Sequence, residues 1–96
     1  IAYTQNILSG RYKNLIIWYL KNSDKRFTAI QKFLSNVSQG SLTKQLRELE
    51  NDGIINRHVY AEVPPKVVYS LTEKGKALLP ILDMMEAFGR QYGDES

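Results

Sequence analysis

The stretch Ser38-Gln39-Gly40-Ser41-Leu42-Thr43-Lys44-Gln45-Leu46-Arg47-Glu48-Leu49-Glu50-Asn51-Asp52-Gly53 reads as one short helix with both ends marked. Ser38 suits the N-cap, where its hydroxyl accepts from the free N–H groups of the first turn. Val37 and Leu42 occupy the two positions of a hydrophobic staple. Gly53 suits the left-handed residue just past the helix end, from which Ile54 folds back on Leu49 in a Schellman closure. Leu42, Leu46 and Leu49 fall at i, i+4 and i+7 and make one apolar stripe. The opposite face carries Gly40, Thr43, Lys44, Arg47 and Asn51, and is polar and basic.

Upstream, Thr28-Ala29-Ile30-Gln31 matches a capping box with Thr28 as N-cap, and Ile30, Phe33 and Leu34 supply a buried face. Only Ser35 to Val37 separate that helix from the next, about the length of a helix-turn-helix connection. Downstream, Ile54 to Tyr60 and Lys66 to Leu71 read as antiparallel strands, with Val67, Tyr69 and Leu71 alternating with Val68 and Ser70. Ala61 to Pro65 form the tip, where paired prolines stiffen the chain and remove donors. Arg26-Phe27 fits a very short edge strand before the first of the two helices. The expected fold is mainly α with a small β-hairpin (α+β), in the layout of a winged helix-turn-helix. The recognition helix spans about 39–52 and the wing about 54–71, and such a module usually reads DNA.

Toward the N-terminus, Tyr3 to Leu8 looks helical and is interrupted at Ser9-Gly10. Arg11 to Asn22 reads as a further helix with Tyr12, Leu15, Ile16, Tyr19 and Leu20 on one face. Ile17 and Trp18 widen that stripe beyond what one core contact needs. At the other end Thr72 caps a long helix whose first turn holds Glu73. Leu78, Leu82 and Met85 form one stripe of it, and Ile81, Met84 and Phe88 a second. Pro80 lies inside, so a kink or break about one turn earlier is predicted. No repeat or linker divides the chain, and residues 1–96 read as a single domain.

Composition bounds the chemistry. Ninety-six residues with 43% hydrophobic content suffice for one core. The absence of cysteine removes disulfides, thiol nucleophiles and thiolate metal sites. The longest fully apolar run, Leu15 to Leu20, is far below the ~20 residues of a membrane span, so cytoplasmic residence is the default. The net charge of +3 hides an asymmetry. Residues 1–47 carry eight basic groups against one acid, a net +7, and residues 48–96 carry five against nine, a net −4. The basic half contains the two helices, which suits a polyanionic partner or a solvated lysine-rich surface. His58 is the single histidine and reads as a strand-surface residue rather than a metal ligand. No nucleophile, base and orienter occur together, and Glu48, Glu50 and Asp52 read as a solvated helix end. No metal, cofactor or enzymatic activity is expected.

The chain resembles the HxlR-type bacterial transcriptional regulators, a winged-helix group related to the MarR regulators. The matching residues are Arg26-Phe27, Val37-Ser38, Leu42-Thr43, Leu46-Arg47-Glu48-Leu49-Glu50, Asp52-Gly53-Ile54-Ile55, Arg57, Tyr60, Val63-Pro64-Pro65, Val68-Tyr69-Ser70-Leu71-Thr72, Gly75 and Leu79-Pro80-Ile81-Leu82. The run Glu62 to Thr72 is the most specific part. The resemblance implies a homodimeric, double-stranded-DNA-binding regulator with dimer contacts from the first and last helices. Ile7, Leu8, Ile81, Met84, Met85 and Phe88 are the candidates, and a symmetric partner accounts for the surplus apolar stripes. The chain departs from the family pattern in places. Ser9-Gly10-Arg11-Tyr12 stands where Gly-Gly-Lys-Trp is frequent, and Gly40 stands where a basic residue is common. Many members also carry a cysteine just ahead of the position matching Ile1, and some sense electrophiles or oxidants with it; that position precedes residue 1, and residues 1–96 hold no cysteine, so redox sensing is not legible here.

Candidate DNA contacts come from the helix angles. Lys44 has no core role, and its side chain points to DNA or to solvent. Ser38, Ser41 and Thr43 are short and suit phosphate oxygens, with Ser38 a cap first. Gln39 can hydrogen-bond adenine in the major groove or stand exposed. Arg47 reaches a phosphate or pairs with Glu50 or Asp52. Thr28 and the N-terminus of its helix can hold a phosphate. Arg57 and Lys66 belong to the wing and are candidates for backbone or minor-groove contact, with Glu62 opposing phosphate approach. The competing reading is a winged-helix module that docks on another protein without binding DNA. Effector, operator and sign of regulation are not legible.

Overall fold

Five helices and three strands alternate along residues 12–93, the part of the chain that the computed structural model describes. They are α1 (Lys13–Tyr19), β1 (Lys25–Arg26), α2 (Phe27–Leu34), α3 (Gln39–Asn51), β2 (Ile55–Tyr60), β3 (Lys66–Leu71), α4 (Glu73–Lys76) and α5 (Leu79–Tyr92). The expected helix over Tyr3 to Leu8, with the interface candidates Ile7 and Leu8, lies outside the described residues.

The ends of α3 form as their residues dictate. Ser38 Oγ accepts from the Ser41 N–H at 3.1 Å. Val37 and Leu42 are both buried, closing the staple. At the other end Gly53 takes φ +75°, the Gly53 N–H donates to the Glu50 carbonyl at 3.0 Å, and the Ile54 N–H donates to the Leu49 carbonyl at 2.9 Å. These are the two bonds of a Schellman closure. Between α2 and α3, Ser35 holds φ 58° while the Asn36 N–H reaches the Leu34 carbonyl at 2.7 Å. This is a γ-turn with positive φ, which reverses the chain within three residues.

The hairpin forms from the expected strands, with β2 starting at Ile55, and its register runs from Ile55 opposite Leu71 to Tyr60 opposite Lys66. The short edge strand is present, one residue earlier than expected. Lys25 pairs with Tyr69 and Arg26 with Val68, so β3 is central in the order β1-β3-β2. Thr72 joins the sheet to α4. Its hydroxyl donates to the carbonyls of Gly53 and Ile54 and accepts from the Gly75 N–H at 3.0 Å. The C-terminal helix is two helices, broken where Pro80 requires. Pro80 has no N–H to bond the carbonyl one turn back, so a new helix starts with it in the first turn.

The core joins Ile16, Ile17 and Leu20 of α1, Ile30 and Leu34 of α2, the three leucines of α3, Ile54 and Ile55, Tyr69 and Leu71, and Leu78 and Leu82. Each such side chain stabilises the fold by roughly 1.5–3 kcal/mol when fully buried.

Four expectations are corrected. Thr28 is not an N-cap. α2 starts at Phe27 with Arg26 in the cap position and no side-chain cap, because the edge strand pairs up to Arg26 and the helix begins at once. The buried face of α1 is centred on Ile16 and Ile17, and Leu15 and Trp18 face outward at 48% and 40% exposure. Phe33 is also exposed and stacks on Tyr19 at 4.1 Å between ring centres, so it covers α1 from outside instead of entering the core. Met85 leaves the stripe of Leu78 and Leu82 and is half exposed, at the rim of a groove that α1 and α2 border without closing.

Candidate nucleic-acid interface

The outer face of α3 is the mirror of its leucine stripe. Gly40, Lys44, Arg47 and Asn51, at spacings of four, three and four, are all exposed. Gln39 is exposed at the first helical position, and Thr43 is half-buried at the edge of the row. Among the described residues neither Lys44 nor Arg47 is held in an ion pair. The carboxylates that Arg47 had within reach in sequence are not used for it, since Glu50 turns to Arg57 at 3.3 Å. Gly40 has open space where a side chain would project, with no atom within 4 Å. Lys44 and Arg47, exposed and outside the ion pairs among the described residues, give this face a positive charge that attracts a polyanion.

Ser38 and Ser41 are occupied differently. Ser38 is the cap, and the Ser41 hydroxyl accepts from Gln45 Nε2 at 3.4 Å, which turns it toward the protein. Thr28 lies exposed in the first turn of α2, lining a hollow of about 140 Å³ with Arg26, Phe27, Pro65 and Val67. The fold therefore brings the start of α2 against the tip end of β3 in the wing. Lys66 is half-buried, its ammonium over the Tyr60 ring at 5.2 Å across the hairpin. Arg57 stands at the root of the wing, held by Glu50. Burial pushes the Tyr69 phenol above its ordinary value; Arg57 and Arg47 oppose that, and Glu50 adds to it. The wing's two basic groups are thus partly committed, and α3 carries the free ones.

Sequence reasoning missed three residues beside this face. Gln45 and Lys13 are buried at 8% and 5% exposure, and Glu48, expected in solvent, pairs with Lys13 at 2.7 Å. The Lys13 ammonium, by hydrogen bond and charge, holds the Glu48 carboxyl below its ordinary value; partial burial opposes this and Lys44 assists. Their partners lie more than thirty residues apart in sequence, so no local pattern announced them.

A second surface is apolar. Ile81, Met84, Met85 and Phe88 of α5 are exposed, Met84 and Phe88 at 71% and 67%, and line a hollow of about 490 Å³. Tyr92, not anticipated, extends the row and packs on Phe88 at 4.9 Å. Met85 also borders a groove of about 410 Å³ lined by Leu15, Trp18, Phe33 and Leu82, so the apolar surface runs on from α5 over α1. His58 is exposed on β2, and the described residues hold no group of three potential metal ligands.

The sequence pattern of the HxlR-like helix-turn-helix matches residues 7–96. An HTH-type transcriptional regulator of Methanothermobacter thermautotrophicus is 48% identical over 88 residues, covering 92% of this chain and 67% of that protein. The Bacillus subtilis HTH-type transcriptional regulator YtcD is 46% identical over 96 residues, covering 95% of this chain and 76% of its own. The crystal structure of ytcD superposes with a TM-score of 0.91 at 44% identity, covering 95% of this chain and 93% of that one. The reduced form of the redox regulator HypR does so with a TM-score of 0.93 at 41% identity, covering 97% and 92%.

Proposed function

Since the chain belongs to the HxlR-like helix-turn-helix family of transcriptional regulators, we propose that it binds its operator as a homodimer, one α3 from each copy entering the major groove. It is a DNA-binding transcriptional regulator, and the observation that carries this reading of its site is the free row Lys44, Arg47 and Asn51 opposite the buried leucines. Lys44 and Arg47 supply phosphate contacts, Gln39 and Thr43 sit nearest the base edges or the flanking backbone, and Thr28 at the start of α2 lies against the opposite strand's phosphates. Ser38 holds the cap, and both the N–H and the hydroxyl of Ser41 are engaged within the helix, so beside them the first-turn N–H groups of Gln39 and Gly40 are the ones offered to a phosphate. Arg57 and Lys66 track the backbone from the wing. The exposed stripe of α5 is the self-complementary surface, joined by Ile7 and Leu8. The chain works without cofactor or metal, catalyses no reaction, and acts in the cytoplasm, where its DNA partner is. Among the described residues no helix is long and apolar enough to cross a membrane.

Lys44→Ala tests the reading. The side chain is exposed and faces away from Leu42, Leu46 and Leu49, so the fold is retained. Affinity for all duplexes falls, and the slope of log affinity against log salt drops by roughly one for each lost phosphate contact. Unchanged DNA affinity in a folded Lys44→Ala chain removes Lys44 from the interface and favours a protein partner for α3.

A further inference from the structure

The flank of α3 between its leucine stripe and its basic row carries Ser41, Gln45 and Glu48, at i, i+4 and i+7. All three are tied up, and two of the ties lead to the start of α1. Gln45 Oε1 accepts the Tyr12 N–H at 2.9 Å, and its Nε2 donates to Ser41 Oγ at 3.4 Å. Lys13 Nζ meets Glu48 Oε1 at 2.7 Å, with the Lys13 side chain 6% exposed. α1 has no side-chain cap of its own and no acid in its first turn. α3 supplies both from outside. Gln45 takes the N-cap N–H, the task of the third helical residue in a capping box, and Glu48 sets a carboxylate at the positive end of the α1 dipole.

Apolar burial is non-directional, so the leucine stripe alone leaves α3 free to roll or slide slightly on the core. Hydrogen bonds and an ion pair have angles and lengths to satisfy. We infer that this clamp fixes the roll of α3, making Lys13, Gln45 and Glu48 positioning residues for sequence reading by that helix. Long, flexible phosphate contacts tolerate a small rotation, whereas contacts to base edges depend on it. Loss of the clamp therefore removes discrimination before it removes affinity. The inference rests on α3 being the element that reads DNA.

The test uses the whole chain and two duplexes: one selected by the wild-type protein from a random-sequence pool, and an unselected one of equal length. Affinities are measured across a salt series, with circular dichroism confirming the fold. Lys13→Met lowers the ratio of selected to unselected affinity roughly tenfold, within the range of coupled neighbouring residues. The salt slope on the unselected duplex stays as in wild type. Lys13→Arg, which keeps the cation, restores most of the ratio. The double variant Lys13→Met with Glu48→Gln loses no more than Lys13→Met alone, since the pair acts as a unit. It also replaces the single variant if the unpaired carboxylate prevents folding. A ratio equal to wild type in a folded Lys13→Met or double variant overturns the inference. Lys44→Ala is the control. If it lowers affinity while Lys13→Met leaves the ratio alone, only the clamp's role fails. If it changes nothing, α3 is not the reading element and both ideas fall.

Discussion

Gly75 shows how tightly one backbone approach is specified. A Cβ there would stand 2.2 Å from the Ile54 carbonyl oxygen, an atom already receiving the Thr72 N–H and hydroxyl. No rotamer relieves a clash between a Cβ and a backbone oxygen. Gly75→Ala is expected to lower stability by about 2–3 kcal/mol, the range for overpacking a fixed site, read as a shift of the urea midpoint with unchanged slope. Glu50 poses the opposite case. It holds Arg57 at 3.3 Å with both side chains substantially exposed, so the pair stabilises the fold by less than about 1 kcal/mol. The same carboxylate competes with phosphate for the guanidinium. Glu50→Gln should leave stability nearly unchanged and tighten duplex binding about two- to fivefold, the equivalent of that pair energy. Weaker binding by Glu50→Gln would show that Glu50 itself organises the interface.

α3 was readable from end to end in the sequence because everything that defines it is local. Ser38, the Val37–Leu42 staple, the leucine spacing and Gly53 all act within a few residues of one another. The two strands of the hairpin and its tip were readable for the same reason. Where a face was decided by packing between distant segments, the pattern misled. α1 has apolar residues nearly all round, and only its neighbours choose Ile17 over Leu15 for the core. Phe33 looked like a core residue and became a stacking partner for Tyr19. Glu48 looked solvated and Lys13 and Gln45 went unmarked, because a polar residue between helices carries no periodic signal. The basic row of α3 was legible; that Arg57 and Lys66 are already engaged was not. The α1–α3 clamp also carries a pH signature. The Glu48 carboxyl is held below its ordinary value of 4.5 in the fold by Lys13, so the folded chain binds the proton more weakly than the unfolded one. The contribution is complete above that ordinary value and is lost as pH falls through the lower folded one. The gap in urea midpoint between wild type and Glu48→Gln is expected to be widest near neutrality and to close in acid. A gap independent of pH would mean that the ion pair does not stabilise the fold.

The described chain presents two surfaces of opposite character, a basic row on α3 and an apolar stripe on α5. The stripe of Ile81, Met84, Met85, Phe88 and Tyr92 is long and unbroken for a surface facing water, and a two-fold partner offers the same stripe in return. Sedimentation at micromolar concentration should give twice the mass of 11.0 kDa. Phe88→Glu, which sets a charge in the stripe without touching the core, should give the single mass. Two copies then present their α3 helices to one side of a duplex, so footprints should be inverted repeats with centres roughly one turn, ~10 bp, or a multiple apart. A single protected half-site on wild-type binding counts against the pairing. If a second copy covers the α5 stripe, as proposed, the chain also becomes a sensor of its own abundance. Below the dimer's dissociation constant the competent species grows as the square of the protomer number, so halving the supply cuts operator filling about fourfold by mass action. Dilution by cell growth that outpaces synthesis then acts as a steep signal.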